Sequence, residues 1–230
     1  MDLRRWTGVR FVCRAPTKGG GEVELRVAHL TLEHALFWQA RVQPVIDSDP
    51  ERVDQGWNWL LYLPFSKLTG KVLQQSPVGY CVGIVATDRD YFIPCALLQL
   101  LGRYPALNDH DEKCAFTWFL TTAPRAALTG LDEYHLSEDR VPKKLGTIAL
   151  DVAVTHSLNH GGRGRTGLHA DPKGGDRLLD WYQRRGMKVL PTDRQIPFGP
   201  RRFLRPSDGR YCYYTVRAAL EASRSLDPLR

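Results

Sequence analysis

The chain opens with alternating apolar and charged positions that predict a pair of strands. Val23, Leu25 and Val27 alternate with charged side chains, as expected of a half-buried strand. Val9–Cys13 is predicted to pair with this strand across the loop Ala15–Gly21. The N-terminal region is therefore expected to form a hairpin.

Two helices are predicted to follow the hairpin. Thr31 begins a stretch with apolar residues at helical spacing. Asp49-Pro50-Glu51 predicts the start of a second helix, because Asp is a favoured cap and Pro is favoured at the first helical position. Trp57 and Leu60 would lie on the apolar face of that helix.

The middle of the chain is rich in residues that favour strands. Val78–Ala86, Tyr91–Gln99 and Cys114–Thr122 are the three candidates, and their order predicts an antiparallel meander. A tight turn is expected at Thr87–Asp90. The apolar run Ala96–Leu101 is equally compatible with a helix, because a short apolar run has no diagnostic period.

The second half alternates helices and strands. Gly186 and the basic residues before it indicate where one helix ends. The predicted elements are a helix from Leu145 to near His160, a strand Thr166–Ala170, a helix Asp176–Arg185, strands Ile196–Leu204 and Tyr211–Val216, and a terminal helix Arg217–Ser225. This order predicts a mixed α+β domain with helices packed on a sheet.

Composition narrows the class of protein. The 230 residues are 43% hydrophobic and 25% charged, which is ordinary for a globular domain. No apolar run approaches the roughly 18 residues of a membrane-spanning helix, and the N-terminus lacks the apolar segment of a secretory signal. The five cysteines are scattered without a C-x-x-C pair, which disfavours a disulfide framework. We therefore expect a cytoplasmic protein with no membrane partner.

The formal net charge of +7 favours an anionic partner. Nucleic acid, a membrane surface and a phosphate-rich small molecule all fit that charge. The aromatic residues Tyr211, Tyr213 and Tyr214 lie in a basic segment, so an RNA-acting protein remains an alternative.

Several motifs resemble metal, nucleotide or catalytic sites but lack the residues or the context that such sites need. His156 and His160 share a predicted helical face, but no third ligand accompanies them, so we predict surface histidines and no metal site. Gly162–Gly167 spells G-x-G-x-x-G, but it follows a helix and precedes a strand, the reverse of a dinucleotide loop. His169 is interpreted as a core or rim histidine. No nucleophile motif is present.

The segment Lys143–Thr147 points to an anion site. It lies where a helix is predicted to begin, and lysines are unfavourable at that positive end. An anion bound to the free N–H groups of the first turn would account for them. Gly146 would let such a ligand approach the backbone closely.

The segment Leu178–Met187 resembles the closing motif of the GNAT acyltransferases, which transfer an acyl group from acyl-CoA to an amine. The shared pattern is an aromatic residue and Tyr182, three residues, then Gly186 and an apolar residue. Gly167–Ala170 fits the family's fifth strand, and the predicted element order is similar along nearly the whole chain. The resemblance implies a mostly antiparallel, splayed sheet with helices on both faces.

The resemblance also implies a binding site. Cys114–Thr122 would be the fourth strand, and its backbone edge at Leu120, Thr121 and Thr122 would pair with the pantetheine arm. The pyrophosphate would lie at the start of the helix, on Lys143, Lys144, Leu145, Gly146 and Thr147, with Arg125–Gly130 as a second candidate. Gly175 stands where many members carry Asn.

The implied reaction is transfer of an acetyl group from acetyl-CoA to a primary amine by direct attack. Tyr182 would protonate the departing thiolate. The general base is open, with a water held by Asp88, Asp90 or Glu112 as one candidate. The acceptor amine and the oligomeric state are open. The alternatives are a non-catalytic CoA-binding module of the same fold and the basic RNA-acting protein.

The whole chain, 1–230, is expected to form one acyl-CoA N-acyltransferase-like domain. Residues 1–21 would be a hairpin extension and residues 217–230 would contain a short C-terminal helix.

Overall fold

An eight-stranded sheet organises the molecule. The computed structural model describes residues 11–86, 91–131, 136–198 and 203–229. The strands are β1 Phe11–Pro16, β2 Glu22–His29, β3 Pro77–Ala86, β4 Tyr91–Ala106, β5 Asp109–Thr122, β6 Thr166–His169, β7 Lys188–Val189, β8 Gln195–Phe198, β9 Phe203–Pro206 and β10 Tyr211–Tyr214. The large sheet has the order β1-β2-β3-β4-β5-β6-β10-β7, and β8 pairs with β9 alone.

Antiparallel pairing dominates this sheet. Every neighbouring pair is antiparallel except β5 and β6, which run parallel over a short stretch. The predicted N-terminal pairing is present as β1 and β2, with Cys13 opposite Leu25. Val9 and Arg10, at the start of that prediction, lie outside the described residues.

Helices pack against the sheet. They are α1 Leu32–Phe37, α2 Gln43–Asp47, α3 Trp59–Leu73, α4 Arg125–Thr129, α5 Leu145–Asn159, α6 Gly175–Gln183 and α7 Val216–Arg224, with a π-helical turn at Trp38–Val42 between α1 and α2. The predicted fold class, a mixed α+β domain with a mostly antiparallel sheet, is confirmed. Among the described residues, no helix is long and apolar enough to cross a membrane.

The predicted helix at Asp49-Pro50-Glu51 is wrong. The Asp49 carboxylate accepts the N–H of Glu51 at 3.0 Å, which closes a turn instead of capping a helix. The helix begins later, at Trp59, where the Asn58 side chain accepts the N–H groups of Leu60 and Leu61. Asp and Asn cap turns and helices equally well, so local sequence does not distinguish the two.

The central segment Ala96–Leu101 is strand, not helix. It lies within β4, between β3 and β5, and its residues are buried. A strand buried on both faces shows a continuous apolar run instead of an alternation. The turn predicted at Thr87–Asp90 lies outside the described residues, but the strands it would join are antiparallel neighbours.

The C-terminal third departs from prediction in its strands. β7, which pairs with β10, was not predicted. The single strand predicted at Ile196–Leu204 is two short strands, β8 and β9, that pair with each other. The terminal helix is α7, capped by the Thr215 hydroxyl, which accepts the N–H of Ala218 at 3.3 Å.

The prediction of surface histidines is correct for His160, which is exposed, and wrong for His156. His156 is buried, not on the surface, and its Nδ1 lies 2.9 Å from the Tyr80 hydroxyl. His160 stacks on it with ring centroids 4.1 Å apart. No cluster of three potential metal ligands exists in the described part of the chain. The glycine-rich stretch leads from α5 to β6, the topology expected from its sequence.

Candidate active-site cleft

The sheet opens where β5 and β6 separate. Their parallel pairing covers Ala115 with Thr166, Phe116 with Gly167 and Thr117 with Leu168. β5 then continues to Thr122 with no described strand on that side. Its backbone edge over residues 118–122 therefore faces an open wedge.

A β-bulge at Trp118 coincides with this separation. In the pairing of β4 with β5, Gln99 lies opposite Phe119 and Leu100 lies opposite Thr117, so Trp118 is the additional residue. A bulge bends its strand and increases the local twist. We attribute the divergence of β5 from β6 to this bend.

The wedge forms the mouth of a cleft of about 1340 Å³. Its wall combines the free edge of β5, the end of β6, the start of α5 and one face of α6. Its lining includes aromatic residues, among them Trp57, Phe65 and Trp118. It also includes basic residues: Arg52, Lys144, Arg177, Arg185 and Arg205.

The N-terminus of α5 opens into the same cleft. Lys144, at the cap position, has φ of 61° and no side chain caps the helix among the residues described. The first helical hydrogen bond runs from the N–H of Ile148 to the carbonyl of Lys144 at 2.9 Å. The N–H groups of Leu145, Gly146 and Thr147 therefore lack intrahelical partners. These three residues line the cleft.

A fixed cation lies beside that helix start. The Arg185 guanidinium stacks 3.4 Å above the Trp181 ring, donates to the Thr147 hydroxyl at 3.0 Å and donates to the Trp181 carbonyl at 2.9 Å. Burial lowers the pKa of Arg185, although a guanidinium stays charged at neutral pH. A Cβ on Gly146 would lie 3.1 Å from the same Trp181 ring, so the glycine accommodates the indole.

The end of β5 contacts an ion pair in the loop that precedes α3. Arg52 and Asp54 are 2.6 Å apart, and the Asp54 side chain is only 4% exposed. Arg52 also donates to the carbonyl of Thr122 at 2.7 Å, and the Thr121 hydroxyl donates to Asp54. This contact explains why the loop is not helical, because its polar groups bond to a strand far away in sequence.

Tyr182 lies on the last turn of α6 and faces the cleft. It is 9% exposed, and burial raises its pKa. Its ring contacts Trp181 edge to face with centroids 5.1 Å apart. No group in the described part of the chain hydrogen-bonds to its hydroxyl, which is therefore free to serve a ligand.

His169 stands at the vertex of the wedge, one residue after the last β5–β6 pair. Its Nε2 lies 2.7 Å from the Asp208 carboxylate, and its ring packs 4.5 Å from that of Tyr211. The sequence placed this histidine in the core or rim, and the structure places it on the rim. Asp208, 39 residues later, was not singled out by any sequence signal.

The predicted site residues mostly converge. Those that line the cleft are Leu120, Thr121, Thr122, Lys144, Leu145, Gly146, Thr147 and Tyr182. Lys143 is exposed and does not line the cleft. Its backbone N–H donates to the carbonyl of Pro16. The neighbouring Gly174, not Gly175, contributes to the wall.

The other candidates fall elsewhere. Arg125 begins the short helix α4 and forms an ion pair with Glu138. Glu112 pairs with Arg165 at 3.2 Å, away from the cleft wall. Asp88 and Asp90 lie outside the described residues. The cysteines are buried, and burial raises the pKa of the Cys95 and Cys212 thiols to about 12, which disfavours thiolate chemistry.

No protein-family model matches the chain, and no curated protein matches it by sequence. Among solved structures, the chain is similar to GNAT acetyltransferases. One is a GNAT-family acetyltransferase from Staphylococcus aureus, with 9% identity, 84% of this chain and 99% of that chain covered, and a TM-score of 0.49.

Two further structures give the same picture. Spermidine N-acetyltransferase from Vibrio cholerae, in complex with CoA and spermine, shares 14% identity over 85% of this chain and 98% of that one, with a TM-score of 0.44. A mutant AtaT toxin, bound to the C-terminus of the antitoxin AtaR and acetyl-CoA, shares 12% identity over 85% and 95%, with a TM-score of 0.42. With so few shared residues, the role of each side chain rests on this chain's own geometry.

Proposed function

We propose that the protein transfers an acetyl group from acetyl-CoA to a primary amine. The observation that carries this proposal is the joint opening of two binding elements into one cleft. The free edge of β5 over residues 118–122 and the uncapped start of α5 face the same space. One elongated ligand with an extended amide chain and a phosphate group would satisfy both.

The edge of β5 suits the pantetheine arm of acetyl-CoA. That arm is extended and carries two amide groups, and extended amides pair with exposed strand edges. Leu120, Thr121 and Thr122 supply backbone for this pairing. The Thr121 side chain donates to Asp54 and the Thr122 carbonyl already accepts from Arg52, so the ligand would use the remaining outward N–H and carbonyl groups of this edge.

The start of α5 suits the pyrophosphate. Unpaired N–H groups and the positive end of a helix bind anions. Lys144 and Arg185 add two positively charged residues to the lining of the same cleft. Arg185 is held in position by Trp181 and Thr147. A pre-positioned cation loses less conformational entropy on binding than a free lysine.

The proposed chemistry is direct attack. The neutral amine attacks the thioester carbonyl, the carbon–sulfur bond breaks, and its electron pair stays on sulfur. Tyr182 donates its proton to that thiolate. A phenol is protonated at neutral pH already at its ordinary pKa, as a general acid must be, and burial raises the pKa of Tyr182 further.

Acetylation of defined amines tests the proposal. The protein is incubated with acetyl-CoA and, separately, with phenethylamine, spermidine and a lysine-containing peptide. We expect release of free CoA that depends on the amine, together with an acetylated product identified by mass spectrometry. Binding of acetyl-CoA without any acetylated amine would favour the non-catalytic CoA module. Absence of binding would refute the proposal altogether.

A further inference from the structure

The geometry points to His169 as the general base that deprotonates the acceptor amine, with Asp208 as the residue that positions it. This inference rests on the proposed acetyl transfer and adds the group that takes the proton. At neutral pH an alkylamine is an ammonium ion without a free electron pair. It cannot attack a thioester until a base removes one proton.

The place of His169 in the sheet fits this role. The residue follows Leu168, the last residue of β6 that pairs with β5, and its side chain lines the cleft. It therefore lies where the two strands part, on the opposite side of the wedge from the β5 edge. An acyl group held along that edge would have the imidazole within the same opening.

Asp208 fixes which imidazole nitrogen carries a proton. One carboxylate oxygen accepts the N–H of Arg210 at 2.9 Å, and the other lies 2.7 Å from Nε2 of His169. Burial opposes the charge on Asp208, but the hydrogen bonds from His169 and Arg210 outweigh it and lower the pKa of this carboxyl.

An ionised carboxylate only accepts hydrogen bonds, so Nε2 must be the donor. Nδ1 then carries the free electron pair, and it has no hydrogen-bonding partner among the described residues. The ring is held in place by Tyr211, whose centroid is 4.5 Å away. The arrangement is that of a base oriented by a carboxylate.

His169 and Tyr182 together account for every proton in the proposed reaction. Nδ1 of His169 takes one proton from the ammonium, and the neutral amine attacks the carbonyl carbon. Collapse of the adduct breaks the carbon–sulfur bond, and Tyr182 protonates the sulfur. The nitrogen, now part of an amide, returns its second proton to the tyrosinate, and the imidazolium releases its proton to water.

The test compares two nucleophiles in one variant. His169→Gln keeps a side chain of similar length but cannot take up a proton. Phenethylamine is charged at neutral pH, whereas hydroxylamine is largely uncharged and needs no deprotonation before attack. We expect the variant to lose about 10²-fold in kcat/KM with phenethylamine, to keep most of its rate with hydroxylamine, and to retain the KM for acetyl-CoA.

Two further variants sharpen the result. Asp208→Asn removes the carboxylate charge and should give a smaller loss with the same preference for hydroxylamine. His110→Gln changes a histidine in β5 outside the cleft wall and should alter neither rate. Equal losses of His169→Gln with both nucleophiles, or no loss with either, would overturn the assignment of the base.

The wild-type protein separates this inference from the proposed function. If wild type neither binds acetyl-CoA in a calorimetric titration nor acetylates either nucleophile, acetyl transfer itself is refuted and the inference falls with it. If wild type uses both nucleophiles and His169→Gln shows no nucleophile preference, only the inference is refuted.

Discussion

Two buried tyrosines allow a matched test of Tyr182. The Tyr182 hydroxyl faces the cleft and has no hydrogen-bond partner in the described part of the chain. The Tyr214 hydroxyl, in the neighbouring strand β10, donates to the carbonyl of Arg185 at 2.7 Å. Both rings belong to one apolar cluster, and burial raises the pKa of both phenols, that of Tyr214 to about 12. Phe replaces either residue without changing the ring.

The two substitutions should have opposite signatures. Tyr182→Phe loses no protein hydrogen bond, so its stability should fall by well under the roughly 1 kcal/mol of a lost bond. Its kcat should fall by about 10²-fold, because a thiolate is a fair leaving group and general acid help is worth the low end of the usual range. Tyr214→Phe should lose about 1 kcal/mol and keep most of its kcat.

Thermal unfolding and amine acetylation on the same preparations measure both effects. For a chain of this size, 1 kcal/mol shifts Tm by roughly 2–4 °C. An unchanged kcat in Tyr182→Phe, with a drop in Tm like that of Tyr214→Phe, would return Tyr182 to a purely structural role. That outcome would leave the cleft without an identified acid.

Two other predictions follow from single residues. Lys144→Glu should weaken acetyl-CoA binding by about tenfold, or ~1.4 kcal/mol. The adjacent Lys143→Glu should leave binding unchanged, because of the two lysines only Lys144 lines the cleft. Calorimetric titration of both variants checks this, and equal losses of affinity would show that the anion site is not at Lys144. Burial lowers the pKa of His34 to about 4, although a hydrogen bond to the backbone of His29 raises it slightly. The unfolded chain takes up this proton below about pH 6.5 and the folded chain only near pH 4, so the free energy of unfolding should fall by about 3 kcal/mol as the pH drops through that window. Urea unfolding of wild type and His34→Gln at several pH values isolates the effect. The same dependence of the free energy of unfolding on pH in both proteins would contradict it.

The parts of the fold that sequence predicted well are those with local signals. α6 ends at Gln183, shortly before Gly186, which adopts a positive φ of 86°, and its aromatic positions gave the resemblance that pointed to the cleft. The central strands were predicted from their composition, although the run Ala96–Leu101 had no period to separate strand from helix. Burial on both faces removes the alternation on which that distinction depends.

The parts that sequence missed depend on contacts between distant residues. The loop after Asp49 is fixed by the Arg52–Asp54 pair bonding to the end of β5, some 70 residues away, and no local pattern encodes that contact. The bulge at Trp118 is visible only from the register of β4 against β5. His169 and Asp208, which are in contact, are likewise separated in sequence.

Titration of the protein with acetyl-CoA is the most direct measurement of the central claim, that the wedge and the start of α5 form one binding site. The account predicts saturable one-to-one binding, competition by CoA, and added stability of about 2.7 kcal/mol at a hundred times the dissociation constant. Lys144→Glu should lower the affinity in the same titration. No heat of binding and identical unfolding curves with and without acetyl-CoA would contradict the account.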